Sequence, residues 1–391
     1  MTAIAGDVTP DLDKQRQLAA IARSGYGRPY RIYQPRNLAF WVYWLIMAAG
    51  VVRLLQNLVP GAPVLTTALV AGVIVFTLYT VPFWLIISHV DRFRSVPVKV
   101  RVLAFLWGGI GATFGLAIAA NDPIRSIYTK LYGQAFALDW SAALTAPFTE
   151  EIGKAAGFVL ILLLAPRVVR TAFDGAIIGA FIGLGFQVFE DLLYAVSTAA
   201  GAFGAEQGPA VVQTIVMRAA TGIASHTVFS AIFCMGLVWL IGRPDEPRRI
   251  GRGLALMVGA MALHGAWDCA AALSHGTIVG VIGVWILVPI VMFTLLVMGL
   301  RRAAEPERAW VRAILTPEVD RGVLTGPELA AASGTGRERK AFVKAAADRA
   351  ARRRAGHVLT AAGELAEQIA EDGGRETPAT AFARSEVARL R

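Results

Sequence analysis

Runs of about 20 apolar residues, the length that carries a helix across a hydrocarbon core, recur along this chain with short polar breaks between them. Eight runs predict eight membrane helices, near residues 38 to 59, 65 to 89, 101 to 120, 141 to 165, 172 to 198, 212 to 241, 253 to 273 and 277 to 300. The predicted fold is all-α, a polytopic transmembrane helical bundle of about eight spans. In the fifth run Gly175, Gly179, Gly183 and Gly185 make a small-residue stripe that lets a neighbouring helix approach closely. Residues 1 to 37 form a polar arm, and 38 to 300 form the membrane domain. From 301 to 391 charged positions dominate, and Leu359 to Ile369 reads as a short helix ended by Gly373 and Gly374. Its charge pattern predicts a solvated, partly disordered helical tail, with docking of a cytoplasmic partner as the alternative.

Composition supports the membrane reading. Hydrophobic residues are 55% of the 391, charged residues only 17%, and mean hydropathy is +0.55, which excludes an ordinary soluble protein. The net charge of +10 has a topological explanation, so nucleic acid is not an expected partner. Basic residues gather before the first span (Lys14, Arg16, Arg23, Arg28, Arg31, Arg36) and after the second (Arg92, Arg94, Lys99, Arg101). They recur after the fourth (Arg167, Arg170), the sixth (Arg243, Arg248, Arg249, Arg252) and the eighth (Arg301, Arg302). The loop from Ser197 to Val211 has none, and that between the third and fourth spans has only Arg125 and Lys130. The positive-inside rule then places both termini in the cytoplasm of a multi-pass protein of the cell membrane. The first 36 residues lack the apolar core of a signal peptide, so the first span is expected to act as an uncleaved anchor. Cys234 and Cys269 lie in apolar segments and suggest neither a disulfide framework nor a Cys-based metal motif.

The candidate chemistry is inside the spans, where each ionisable side chain costs roughly 2.5 to 3.5 kcal/mol on insertion scales. The fourth span carries Glu150, Glu151 and Lys154; the fifth Asp174, Gln187, Glu190 and Asp191; the sixth Arg218, His226 and Ser230; the seventh His264 and Asp268. With about 1.5 Å of rise per residue, Glu150 and Glu151 lie about 14 Å below the outer surface, Glu190 about 12 Å, His226 about 21 Å and His264 about 14 Å. Four helices therefore bring polar groups to similar depth in the outer half of the membrane, which predicts one shared site. Lys154 follows Glu150 by four residues and Glu151 by three, so it can neutralise one carboxylate while the other is free to hold a proton. Asp268 and Tyr194 stand one helical turn after His264 and Glu190, and Asp268 can orient the imidazole. Asp174, near the cytoplasmic end of its helix, reads as structural, and Arg218 as a partner for Glu190 or Asp191.

Four segments carry a resemblance. Phe-Thr-Glu-Glu-Ile-Gly-Lys (148 to 154), the glycine-rich segment from Asp174 to Tyr194, Met217 to His226 and Leu-His-Gly-Ala-Trp-Asp (263 to 268) follow one another on successive spans. In order and type they resemble the EExxK, DGxxxGxxxGxGFxxxExxxY, RxxxxxxxH and HGxxD blocks of the PrsW family of intramembrane proteases, over roughly residues 140 to 300. That stretch is then the expected protease core. The related CAAX prenyl endopeptidases usually carry Asn where this chain has Asp268, which argues against an amide role there. The resemblance implies cleavage of a membrane-tethered protein, typically an anti-sigma factor, near the extracytoplasmic surface. Two constellations are open. In one, Glu190, His226 and His264 hold zinc with water in the open position. In the other there is no metal: Glu151 and His226 activate water, and His264, oriented by Asp268, stabilises the oxyanion. A proton-coupled transporter or ion path is the alternative from another class, because it uses the same residue types.

Overall fold

The computed structural model describes residues 8–27, 30–93, 96–201, 205, 207–222 and 225–391. Arg28 and Arg94, counted above as cytoplasmic basic residues, lie outside them, as do Ile223 and Ala224 of the third motif block. In chain order the helices are α1 (Val8–Ser24), α2 (Leu38–Leu58), α3 (Thr66–Val90) and α4 (Val98–Leu106), which runs into a π-helix, Trp107–Ala117. Next come α5 (Ile118–Leu164), α6 (Ala172–Gly201), α7 (Gln207–Gly222), α8 (His226–Ile241), α9 (Ile250–Asp268), the single turn α10 (Ala270–Leu273) and α11 (Ile278–Ala303). The last are α12 (Glu305–Asp320), α13 (Gly326–Ala332), α14 (Gly336–Ala345), α15 (Arg349–Glu371) and α16 (Pro378–Leu390). The fold is all-α, in two compact units: Tyr30–Val90 with Val96–Leu300, and Met1–Pro29 with Asp91–Ser95 and Arg301–Arg391.

Among the described residues, five helical runs are long and apolar enough to cross a membrane: Leu38–Leu58, Thr66–Val90, Val98–Leu164, Ala172–Gly201 and Ile278–Asp320. The count of eight is therefore not confirmed, for three physical reasons. The third and fourth apolar segments belong to one helical run, interrupted at Gly133, whose φ of 86° is a conformation that only glycine adopts without strain. The sixth is divided into α7 and the short apolar α8. The seventh, α9, is diluted by Arg252, His264 and Asp268.

In the larger unit α6 is the central element. Every residue from Thr171 to Val188 is buried, as expected for a helix that is apolar all round. Its glycines serve two sides. A Cβ on Gly179 would sit 2.4 Å from the Ser230 carbonyl oxygen, and one on Gly183 would sit 2.1 Å from that of His226, so α6 lies backbone to backbone against α8. On another side, a Cβ on Gly185 would meet the Phe105 carbonyl oxygen at 1.9 Å. The π-helix was not foreseeable from hydropathy. Trp107, at its start, donates from Nε1 to the Gly153 carbonyl at 3.0 Å and fills the space left by Gly157. Asp174 stands in the first turn of α6, where Oδ2 accepts from the backbone N–H groups of Arg170 (2.8 Å) and Thr171 (2.9 Å). Large apolar side chains such as Leu45, Leu78, Leu85, Leu287 and Met298 stay exposed on α2, α3 and α11.

The close seat of α8 gives a first prediction. Gly183→Ala must push the His226 carbonyl away, and we expect a loss of about 1–3 kcal/mol with reduced activity. Thermal unfolding in detergent, paired with a cleavage assay, checks this. Gly201→Ala, where nothing lies within 4 Å, is the control expected to change neither.

The smaller unit corrects the reading of the C-terminal segment as a partly disordered extension. Val358, Leu359, Ala362, Leu365, Ala366 and Ile369 form the buried face of α15, and Ile314, Leu315 and Val387 are buried with almost no exposure. Gln17 of α1 donates to the Ile314 carbonyl at 2.8 Å. Capping boxes at Thr325/Glu328 and Thr335/Glu338 start α13 and α14, and Asp348 caps α15. Alanine, which packs well but adds little hydropathy, kept this core from standing out in the sequence.

Candidate active site

Four helices supply the polar cluster of the larger unit. On α5, Glu150 and Glu151 are adjacent, Lys154 follows one turn later, and all three are buried. Lys154 Nζ lies 2.8 Å from Glu151 Oε1 and 3.6 Å from Glu150 Oε2, and rests 4.0 Å from the Phe186 ring centroid. The same ammonium is 2.9 Å from His226 Nδ1. His226 opens α8, directly after its N-cap residue Ser225. Its other nitrogen, Nε2, is 2.9 Å from Glu190 Oε2 of α6. His264, near the end of α9, stacks on Phe229 at 4.9 Å and 13°.

The two adjacent glutamates differ in their partners. Glu151 is fully enclosed: Oε1 faces Lys154 and lies 3.3 Å from His264 Nδ1, and Oε2 accepts from the Ser230 hydroxyl at 3.2 Å. Glu150 accepts at Oε1 from Asn121 Nδ2, at 3.3 Å, while its buried Oε2 makes no hydrogen bond. That free oxygen lies 3.7 Å from His226 Nδ1 and 3.8 Å from His264 Nε2. Glu150, His226 and His264 thus each offer a ligand atom within 4.8 Å of the others, and this buried group can hold a metal ion.

Glu190 is placed differently from the sequence-derived zinc set. It sits on the far nitrogen of His226, and its Oε2 also accepts from Arg218 Nη2 at 2.7 Å. Arg218 binds Asp191 as well and lies 4.8 Å from the Tyr194 ring centroid. Asp268 approaches His264 at 3.6 Å, but on Nε2, the nitrogen that faces Glu150; the carboxylate nearer Nδ1 is that of Glu151. Spacing along a helix ranks candidate partners, but only helix rotation decides which ring nitrogen meets which oxygen. Asn121 was missed by the motif reading. It follows the third apolar segment in an Asn-Asp-Pro stretch with the composition of a loop, so nothing local marked it.

A cavity of about 130 Å³ opens onto the cluster, lined by Asn121, Glu150, Glu190, Tyr194, Arg218, His226, His264 and Asp268 among others. A second, of about 160 Å³, also reaches Asn121, Glu150, Glu190 and Tyr194. Glu151 lines neither. A family model described as PrsW family intramembrane metalloprotease matches residues 96–295, just over half of the chain and all four helices of the cluster. The chain belongs to the PrsW family of intramembrane metalloproteases. This PrsW-family protease is therefore a peptide hydrolase with a protein substrate, and the transporter alternative falls away. No curated protein and no solved structure matches the chain.

The residues fit a metal. One carboxylate oxygen and two imidazole nitrogens are a donor set common to catalytic zinc, which keeps a remaining position for water. Glu150 Oε2 is buried without a hydrogen bond and faces two imidazole nitrogens, at 3.7 and 3.8 Å, where a cation would satisfy it. The cavity beside it admits water.

Proposed function

We propose that this protease cleaves a membrane-tethered protein, such as an anti-sigma factor, near the extracytoplasmic side, by zinc-assisted attack of water on a peptide carbonyl. The supporting observation is Glu150 Oε2, buried without a hydrogen bond, converging with His226 Nδ1 and His264 Nε2 on a cavity. Glu150, His226 and His264 are the ligands in this reading. When bound, zinc polarises the carbonyl and makes its water acidic enough to be deprotonated near neutral pH.

The chain's other residues orient and move the proton. Glu190 holds His226 through Nε2, leaving Nδ1 for the ligand role, and Glu151 Oε1 lies 3.3 Å from His264 Nδ1, leaving Nε2 for that role. Arg218 fixes Glu190 by Oε2. Glu190, on the cavity wall, takes the proton of the attacking water and returns it to the amide nitrogen as the C–N bond breaks. Lys154, buried beside the ligand cluster, balances Glu151, and its ammonium would have to turn from His226 Nδ1 for that nitrogen to hold a cation.

In our reading the run Val98–Leu164 crosses the membrane twice, with its turn at Gly133, and α7 with α8 and then α9 complete eight spans. The loop charges then put both termini in the cytoplasm of a multi-pass cell-membrane protein. The protease core spans about 140–300, and the charged segment from 301 onward offers a surface for a cytoplasmic partner. Metal analysis by mass spectrometry on detergent-purified protein is the test, together with cleavage of a co-purified single-span substrate before and after chelation. About one zinc per chain, with activity lost on chelation and restored by zinc, is expected. Metal-free protein that still cleaves would favour the constellation without a metal, in which Glu151 and His226 activate water.

A further inference from the structure

Asn121 lies outside the four motif blocks, yet its side chain is tied at both ends. Thr149, the residue before Glu150, contributes a hydroxyl that hydrogen-bonds Asn121 Oδ1, and Asn121 Nδ2 donates to Glu150 Oε1 at 3.3 Å. The direction of this chain is set by chemistry. An ionised carboxylate only accepts, so the amide presents its N–H to Glu150; its carbonyl oxygen then faces Thr149, whose hydroxyl is the donor.

We propose that Asn121 is a positioning residue for Glu150: held by Thr149, it pins Oε1 and thereby leaves Oε2 directed at His226 and His264. Without that bond the carboxylate can rotate about its terminal torsion, which is broad in energy, and either oxygen can turn to the Lys154 ammonium 3.6 Å away. Asn121 also lines both cavities that reach Glu150, so the part of α5 that precedes the Gly133 break takes part in shaping the site. The inference rests on the reading of Glu150 as a ligand. A carboxylate held by a hydrogen bond on one oxygen is a common way of orienting a metal ligand, and loss of such a partner typically costs 10–100-fold in affinity.

The test is zinc titration of the metal-stripped full chain in detergent, against a chromophoric chelator, for wild type, Asn121→Ala and Thr149→Val. The expected result is zinc binding by wild type and affinity about 10–100-fold lower in Asn121→Ala at the same stoichiometry. Thr149→Val, which keeps the amide and removes only its anchor, shifts affinity the same way and serves if Asn121→Ala does not fold. Unchanged affinity in Thr149→Val and Asn121→Ala, with only the melting temperature lowered, would overturn the positioning role and leave the metal reading intact. Wild-type protein that cleaves yet binds no zinc would overturn the metal reading, and this inference with it.

Discussion

Glu150→Gln is expected to abolish zinc binding and to lower the cleavage rate about a thousandfold or more, while, with both proteins stripped of metal, it unfolds at the wild-type temperature or slightly above it. Glutamine keeps the shape and removes the charge that a cation needs. Stability survives because the buried Oε2 makes no hydrogen bond to lose and its ion pair with Lys154 is long, at 3.6 Å, beside the 2.8 Å pair that Lys154 keeps with Glu151. Glu151→Gln serves as the contrast. Its carboxylate bonds Lys154 and Ser230, so the same substitution one residue along strands the ammonium and lowers stability. Metal content, cleavage and thermal unfolding measured on both variants separate a functional carboxylate from a structural one. Equal stability loss in the two would contradict the assignment.

Lys154→Met should cost about 3–5 kcal/mol, the penalty for leaving one member of a buried ion pair without its partner. Neither Lys154 nor Glu151 has any side-chain exposure, and their separation is 2.8 Å, so water cannot replace the lost ammonium. Added zinc should recover part of the loss, because a cation held by Glu150, His226 and His264 restores positive charge beside Glu151. The double variant Glu151→Gln/Lys154→Met should be more stable than Lys154→Met alone. Denaturant unfolding in detergent across the four proteins of this cycle gives the coupling energy directly, and a coupling near zero would refute the pair's role.

Much of the site could be read without coordinates. Ionisable residues stand out in apolar runs because water is absent there, and the blocks around Glu150, Glu190, His226 and His264 were found on four successive segments for that reason. The stripe of Gly175, Gly179 and Gly183 announced close packing, and its partner proved to be α8. Span number was harder. Hydropathy averages over a window, so it divided Val98–Leu164 at the polar stretch around Asn121 and joined α7 to α8 across a break in the helix.

By itself the sequence determined the membrane class, the helical fold and the set of residues able to do chemistry, since each of these depends on residue type and on spacing along one helix. Tertiary structure decided the rest. Which oxygen of which glutamate meets a histidine depends on how α5, α6, α8 and α9 are rotated about their axes. Those rotations are set by the glycines and aromatic rings that pack the helices together, among them Gly183 against His226 and Phe229 on His264. Hence Glu150 rather than Glu190 closes on both histidines, Glu151 is enclosed while its neighbour lines the cavity, and Asn121 enters from a segment whose local pattern said only that a helix was ending.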